Sequence, residues 1–207
     1  MIEDTEVIED GFDGDRYFGI DLADVRDVRK KAELGYMSMS LYPPPPGAFW
    51  GEFNNRRIRE DWVAGLMEDY EKRIDNCSDL TAIDVVVKCE WIKNFADRKK
   101  TAEGSKIHLL PEMEFTEEGM KAINPRNLWI LSGNHRRESL TRYLDKLLAE
   151  VKAINLKIKE VRDSAGSKAL SADKQKSVDD AEATVRKKEE IIEKSKKWAV
   201  RLYDRGE

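Results

Sequence analysis

Cysteine and histidine are nearly missing from this chain: its 207 residues include only Cys77, Cys89, His108 and His135 of these types. Two thiols cannot build a disulfide scaffold or a four-cysteine zinc site, and two imidazoles leave little for a histidine-based metal centre. The simplest expectation is a reduced intracellular protein, cytoplasmic or nuclear. No run of eighteen apolar residues exists, which excludes a membrane-spanning helix. The opening Met1-Ile2-Glu3-Asp4 lacks the basic start and apolar run of a signal peptide. A basic excess is absent too: 37 Lys and Arg face 41 Asp and Glu, for a net charge of −4 and a pI near 5.5. That balance argues against a charge-driven nucleic-acid coat protein. Any DNA contact is expected to be weak and nonspecific, at or below about 10⁻⁴–10⁻⁶ M at physiological salt.

What is present is charge in abundance (38% of residues) with enough apolar material (40%) to fill a core. The acidic excess is local. Residues 1–35 hold eleven acids and five bases, a net of −6, which leaves +2 for the remainder. Residues 1–15 carry seven acids and no base, the composition of a mobile tail. Leu22, Val25, Val28 and Ala32 then recur at helical spacing over 21–34. The run Leu41-Tyr42-Pro43-Pro44-Pro45-Pro46-Gly47 follows, read as a rigid spacer rather than a ligand for an aromatic groove.

The spacing of Trp62, Val63, Leu66, Met67, Tyr70 and Ile74 predicts a helix over 59–74. Alternation of Ile83, Val85, Val87, Cys89 and Trp91 predicts a strand over 82–92, with Cys89 packed inward. Residues 93–106 read as a loop, with His108 beyond them in a structural role. Thr116, with Glu117 and Glu118 behind it, caps a short helix over 116–123. A second strand at 127–131 leads into Ser132-Gly133-Asn134-His135-Arg136-Arg137 and a long helix.

Composition shifts after Tyr143, which is the fifteenth of seventeen aromatics; none lies between 144 and 197. Leu140, Leu144, Leu147, Val151, Ile154, Ile158 and Val161 repeat at alternating four- and three-residue steps, the seam of a coiled coil. Val178, Ala181, Val185 and Ile192 resume a weaker seam that Lys188 interrupts. Trp198, Val200 and Leu202 then return to strand alternation. The expected fold class is α+β: a small domain of mixed sheet and helices with an inserted antiparallel coiled-coil hairpin. Its expected divisions are 1–35, an acidic and partly disordered region; 36–142 with 198–207, the domain; and 143–197, the hairpin. The hairpin has fourteen bases and eleven acids. It is expected to be an independent insertion that serves partner contact or self-association, with protein favoured over DNA.

The junction at 131–140 is where chemistry concentrates. A helix that starts near Asn134 leaves its first N–H groups unpaired, with Asn134 as the expected cap. His135, Arg136 and Arg137 then place cations at the positive end of the helix dipole, a mismatch of about 0.3–1 kcal/mol per residue. A bound phosphate or carboxylate reverses the penalty, with Gly133 allowing close approach. The alternative is a surface cap whose arginines pair with nearby acids. Arg56 and Arg57 could clamp phosphate or pair with Glu60 or Asp61. Cys77, in the polar turn Asn76-Cys77-Ser78-Asp79, is an exposed thiol with no activating neighbour in sequence. Trp50, Trp62, Trp91 and Trp129 read as core anchors, one of which could stack on a base.

Ser132-Gly133-Asn134-His135-Arg136-Arg137-Glu138-Ser139-Leu140 resembles the signature of the ParB/sulfiredoxin superfamily, a Gly-x-(His/Arg)-Arg motif after a strand and opening a helix. Upstream, Glu52-Phe53-Asn54-Asn55-Arg56-Arg57 with the 59–74 helix and the 83–91 strand is similar to that family's arginine-containing lead-in, helix and strand. The likeness covers roughly 49–142 and 198–204. It implies a nucleotide pocket for ATP or CTP, often with Mg²⁺, with phosphates against Gly133, Asn134, His135, Arg136 and Arg137, assisted by Arg56. It also implies that position 134 decides the chemistry. Sulfiredoxins carry a cysteine there and partition clamps a glutamate. Asn134 is neither a thiolate nucleophile nor a general base, so sulfiredoxin activity is not expected. Hydrolysis or phosphotransfer would require an acid such as Glu52 or Glu138. The alternative is a nonenzymatic scaffold or DNA-associated interaction protein with a vestigial pocket.

Overall fold

A computed structural model describes residues 16–17, 20–21, 30–49, 57–102, 106–123, 128–165 and 169–205. The chain divides into two compact units, Met1–Glu33 and Leu34–Glu207. In the first unit, β1 (Arg16–Tyr17) pairs antiparallel with β2 (Ile20–Asp21). The expected tail at 1–15 and most of the expected helix at 21–34 lie outside the described residues. Residues 30–32 are helical, and a strand takes over at Glu33.

The second unit is built on a five-stranded mixed sheet in the order β3-β7-β5-β6-β4. The strands are β3 (Glu33–Ser40), β4 (Ala48–Phe49), β5 (Ile83–Val87), β6 (Leu128–Ile130) and β7 (Lys197–Asp204). The last strand of the chain lies inside the sheet. It runs parallel to β5 with Ile83 opposite Val200 and Val87 opposite Asp204, while β6 runs antiparallel to β5 with Val85 opposite Ile130. Trp198, Ala199, Val200, Leu202 and Tyr203 are all buried, as befits a strand flanked on both edges and covered on both faces.

The alternation that begins at Ile83 ends at Val87. Cys89–Trp91 turn into a 3₁₀ helix instead, so Cys89 is exposed rather than in the core, while Trp91 is carried inward. β3 has no counterpart among the sequence expectations. Met37, Met39 and Leu41 alternate with Ser38 and Ser40 in sequence, but Gly35, two serines and two methionines give it little β-propensity, and residues 35–39 are buried without alternation.

The α-helices described over their full length are α1 (Glu60–Lys72), α2 (Glu117–Ile123), α3 (Asn134–Ala165) and α4 (Ala172–Ser195). Thr116 caps α2 as expected, its Oγ1 accepting the Gly119 N–H at 2.9 Å. A Cβ at Gly119 would lie 2.4 Å from the Trp91 carbonyl oxygen, so only glycine lets α2 sit on the 89–91 turn. In α1, Val63 and Tyr70 are buried, but Trp62 is 48% exposed and is not the core anchor its spacing implied.

α3 and α4 form the helical hairpin between β6 and β7. Ion pairs fix its direction: Arg162 meets Glu182 near the turn and Glu150 meets Lys188 lower down, each at 2.6 Å, so α4 descends as α3 climbs. Lys188 does not leave a hole in the seam, because its charge is answered from the facing helix. The lower turns belong to the central core. Leu147 and Val151 of α3 and Val185 and Ile192 of α4 pack in the same cluster as Ile83, Val85, Trp198 and Val200 of the sheet. The expected 143–197 division therefore crosses an unbroken helix and a shared core. Ile158 and Val178, both buried, lie outside that cluster in the upper portion of the hairpin, where Leu156 is exposed.

Candidate functional site

The junction after β6 is held by the sheet on one side and by two loops on the other. Leu131 N–H donates to the Asp84 carbonyl (2.8 Å), and Asp84 N–H donates to Ser132 Oγ (2.9 Å). The β5–β6 ladder thus extends one step past β6 and fixes where the chain must turn. Gly133 makes that turn at φ +85°, in the left-handed region where a side chain is strained. A Cβ there would also come within 2.9 Å of Cγ1 of Ile83, which is fully buried. On its Cα side, Gly133 makes a close approach to Ile83 of the core.

The Gly133 carbonyl accepts the first helical bond of α3, from Arg137 N–H at 2.8 Å. Gly133 is thus the cap residue and Asn134 the first helical one, a position earlier than the sequence suggests, because the glycine turns the chain before Asn134 can. The first turn contains no acid. Among the described residues, nothing accepts from the backbone N–H groups of Asn134, His135 or Arg136.

The side chains divide in unexpected ways. His135 Nε2 accepts the Arg59 N–H at 3.0 Å, which places the ring proton on Nδ1. Its ring lies 5.2 Å from that of Trp62, tilted by 50°. The Arg59 guanidinium lies 4.8 Å from the Trp62 centroid and pairs with Asp61 at 2.6 Å. Arg136 turns to the loop before β5: Nη1 donates to the Thr81 carbonyl (3.1 Å) and Nη2 to the Leu80 carbonyl (3.2 Å). Arg136, one of the expected phosphate ligands, thus ties two backbone carbonyls. Arg137 is half-buried with its Nε enclosed by protein.

Glu138, a candidate acid, is engaged by Arg142 at 2.8 Å, and Arg142 also forks onto Glu60 of α1 at 2.6 and 3.1 Å. Hydrogen bonding from Arg142 holds the Glu60 carboxyl below its ordinary value, and the two acids drive the Arg142 guanidinium above its own. Arg57 is exposed. Glu52 and Arg56, the other candidate acid and phosphate ligand, lie outside the described residues, as does Trp50.

Among the described residues no group of three His, Cys, Asp or Glu side chains could hold a metal ion. Position 134 offers only an amide, and the Glu138 carboxylate is already paired. These residues do not fit the Mg²⁺ that the family likeness implies. No family model, curated protein or solved structure matches this chain.

Trp62, Arg59 and the 80–81 carbonyls are the parts of this region that sequence reasoning missed. A tryptophan beside charged Glu60 and Asp61 gave a hint of exposure, but nothing local links Arg136 to residues 55 positions earlier. Cys77 is not an activated thiol: burial, then Asp75 and Asp79, push its pKa up. His108 sits exposed in a 3₁₀ helix, Ile107–Leu109, not in a core role. No described helix is long and apolar enough to cross a membrane.

Proposed function

We propose that this protein is a phosphate-binding, ParB-like domain that takes a nucleotide of the ATP or CTP type at the start of α3, with the hairpin as its partner-contacting arm. The observation that carries the reading is the set of N–H groups of Asn134, His135 and Arg136. They open a 32-residue helix that has no acid in its first turn and no described acceptor for those donors. In this reading the backbone is the main ligand, His135 Nδ1–H is a further donor, and Arg136 holds the adjoining loop. Phosphoryl transfer or hydrolysis is left to an acid that the described residues do not supply.

A second reading is favoured by the pairing of Arg136 with backbone carbonyls and of Glu138 with Arg142. It makes the chain a nonenzymatic scaffold with a vestigial pocket, whose hairpin meets a protein partner or a second copy. Calorimetry with ATP, CTP, GTP and ADP, with and without Mg²⁺, separates the two. Asn134→Asp sharpens the result, because an acid at the first helical position suits the dipole but repels phosphate. It should raise stability by about 0.3–1 kcal/mol and weaken nucleotide binding at least tenfold. Wild-type protein that binds none of the four nucleotides leaves the scaffold reading in place.

A further inference from the structure

A concave region whose lining includes none of residues 132–137 adjoins that junction at one point, where the Tyr70 hydroxyl donates to the Arg136 carbonyl at 3.5 Å. A cleft of about 1150 Å³ opens between the ends of α1 and α4, the 106–112 segment and Tyr143 of α3. Its inner wall is apolar: Tyr70 and Tyr143 are both more than nine-tenths buried, and Ile74, Leu110 and Ile191 line it beside them. The two tyrosine rings meet edge to face with centroids 6.0 Å apart, which fixes the wall.

Most charges on the rim cancel. Glu71 pairs with Lys146 (2.5 Å), Glu112 with Lys197 (2.6 Å), Glu193 with Lys196 (2.5 Å) and Lys194 with Glu190 (2.5 Å). Lys72 pairs with Asp69 at 3.5 Å. Asp75 accepts from Ser78 Oγ at 3.0 Å and from Cys77 N–H at 3.4 Å, neutral donors that leave its negative charge on the rim. Arg73 and Lys106 are the rim cations with no acid among the described residues within ion-pair distance, and His108 also lines the cleft. An apolar wall whose rim carries two cations without a described acid partner against the single Asp75 carboxylate is, on balance, complementary to a molecule that is flat and apolar at one end and anionic at the other.

We infer that this cleft is a binding site for a small organic anion with an aromatic body, such as an aromatic carboxylate or sulfonate. The ring lies against Tyr70 and Tyr143, and Arg73 and Lys106 take the acid group. The site shares no lining residue with 132–137, and it does not rest on the nucleotide reading.

Cys77 gives it a built-in reporter, because Cys77 lines the cleft and is partly accessible, whereas Cys89 is exposed and does not line it. The probe is 1-anilinonaphthalene-8-sulfonate, followed by fluorescence on the full chain, with the neutral N-phenyl-1-naphthylamine as its uncharged counterpart. One saturable site is expected. The neutral compound should bind at least tenfold more weakly, and Arg73→Gln and Lys106→Gln, both at exposed positions, should each weaken the sulfonate several-fold to tenfold. Saturating probe should slow alkylation of Cys77 and leave that of Cys89 unchanged. Equal affinity for the charged and neutral compounds, unchanged affinity in the Arg73→Gln/Lys106→Gln double variant, or unprotected Cys77 would each overturn the proposal.

Discussion

Replacing Arg136 with alanine tests the most consequential difference between what the motif suggests and what the fold does with it. The guanidinium bonds the Thr81 carbonyl in a partly buried setting and the Leu80 carbonyl in an exposed one. A hydrogen bond to a charged group contributes about 1.5–3 kcal/mol when shielded, and solvent takes most of that from the outer bond. Removing a cation from the positive end of α3 returns about 0.3–1 kcal/mol. The expected net loss is about 1–2 kcal/mol, or roughly 2–8 °C in Tm for a unit of this size. The loss should be centred on the 78–82 turn, where amide hydrogen exchange would accelerate. Arg136→Lys should recover little, because an ammonium cannot span both carbonyls as the planar fork does. Leu80→Ala should be nearly silent, since that side chain is 89% exposed and only its carbonyl is used. Denaturant and thermal melts with exchange mass spectrometry measure all three. An Arg136→Ala protein with wild-type stability and wild-type exchange at 78–82 would refute the tether and return Arg136 to the role of anion ligand.

Gly133→Ala should cost at least about 1 kcal/mol, from left-handed strain and the approach to Ile83; Gly65→Ala, which meets nothing within 4 Å in α1, should stabilise by roughly 0.5–1 kcal/mol. Paired thermal melts check both signs. Replacing 158–181 with a short Gly/Ser linker should preserve a cooperative transition, whereas replacing 147–194 should abolish it. The longer deletion removes Leu147, Val151, Val185 and Ile192, at about 1.5–3 kcal/mol each, from a core whose total margin is about 5–15 kcal/mol. Glu60 and Glu71 are held below their ordinary value by hydrogen bonds from Arg142 and Lys146, so their contribution to α1–α3 docking is present above about pH 4.5 and fades as pH falls through the lowered values. Glu60→Gln/Glu71→Gln should flatten the acid limb of a stability–pH curve; an unchanged limb would show that these pairs contribute nothing.

The elements legible in the chain are those whose signal is local. Leu140, Leu144, Leu147 and Val151 announce α3 because a helix repeats its buried face every three or four residues, and that repeat survives in any context. Thr116 with Glu117 and Glu118 announces the start of α2 because capping involves neighbours only. Trp198, Val200 and Leu202 mark β7 as a strand. Local pattern also places the 132–137 junction between a strand and a helix.

What lies beyond that reach was decided by contacts between distant residues. The alternation Met37-Ser38-Met39-Ser40-Leu41 in and just after β3 is brief, and the folded chain buries even Ser38, whose hydroxyl donates to the Leu110 and Pro111 carbonyls. Cys89 and Trp91 carry the period of a strand, yet the backbone turns at Lys88 and sends one to solvent and the other inward. Trp62 shares a helical face with Val63 and Tyr70, but its ring is turned to His135 and Arg59 at the edge of the core. Lys188 breaks a seam in one helix and is answered by Glu150 in the other. Arg136 is the sharpest case. Its position fixes a cation at a helix start, but whether that cation faces an anion or a backbone carbonyl depends on where the loop at Leu80 and Thr81 passes, and only the folded chain brings that loop within 3.2 Å. Short-range periodicity and capping are properties of neighbouring residues, whereas the partners of a long side chain are set by chain segments that meet only when the core closes.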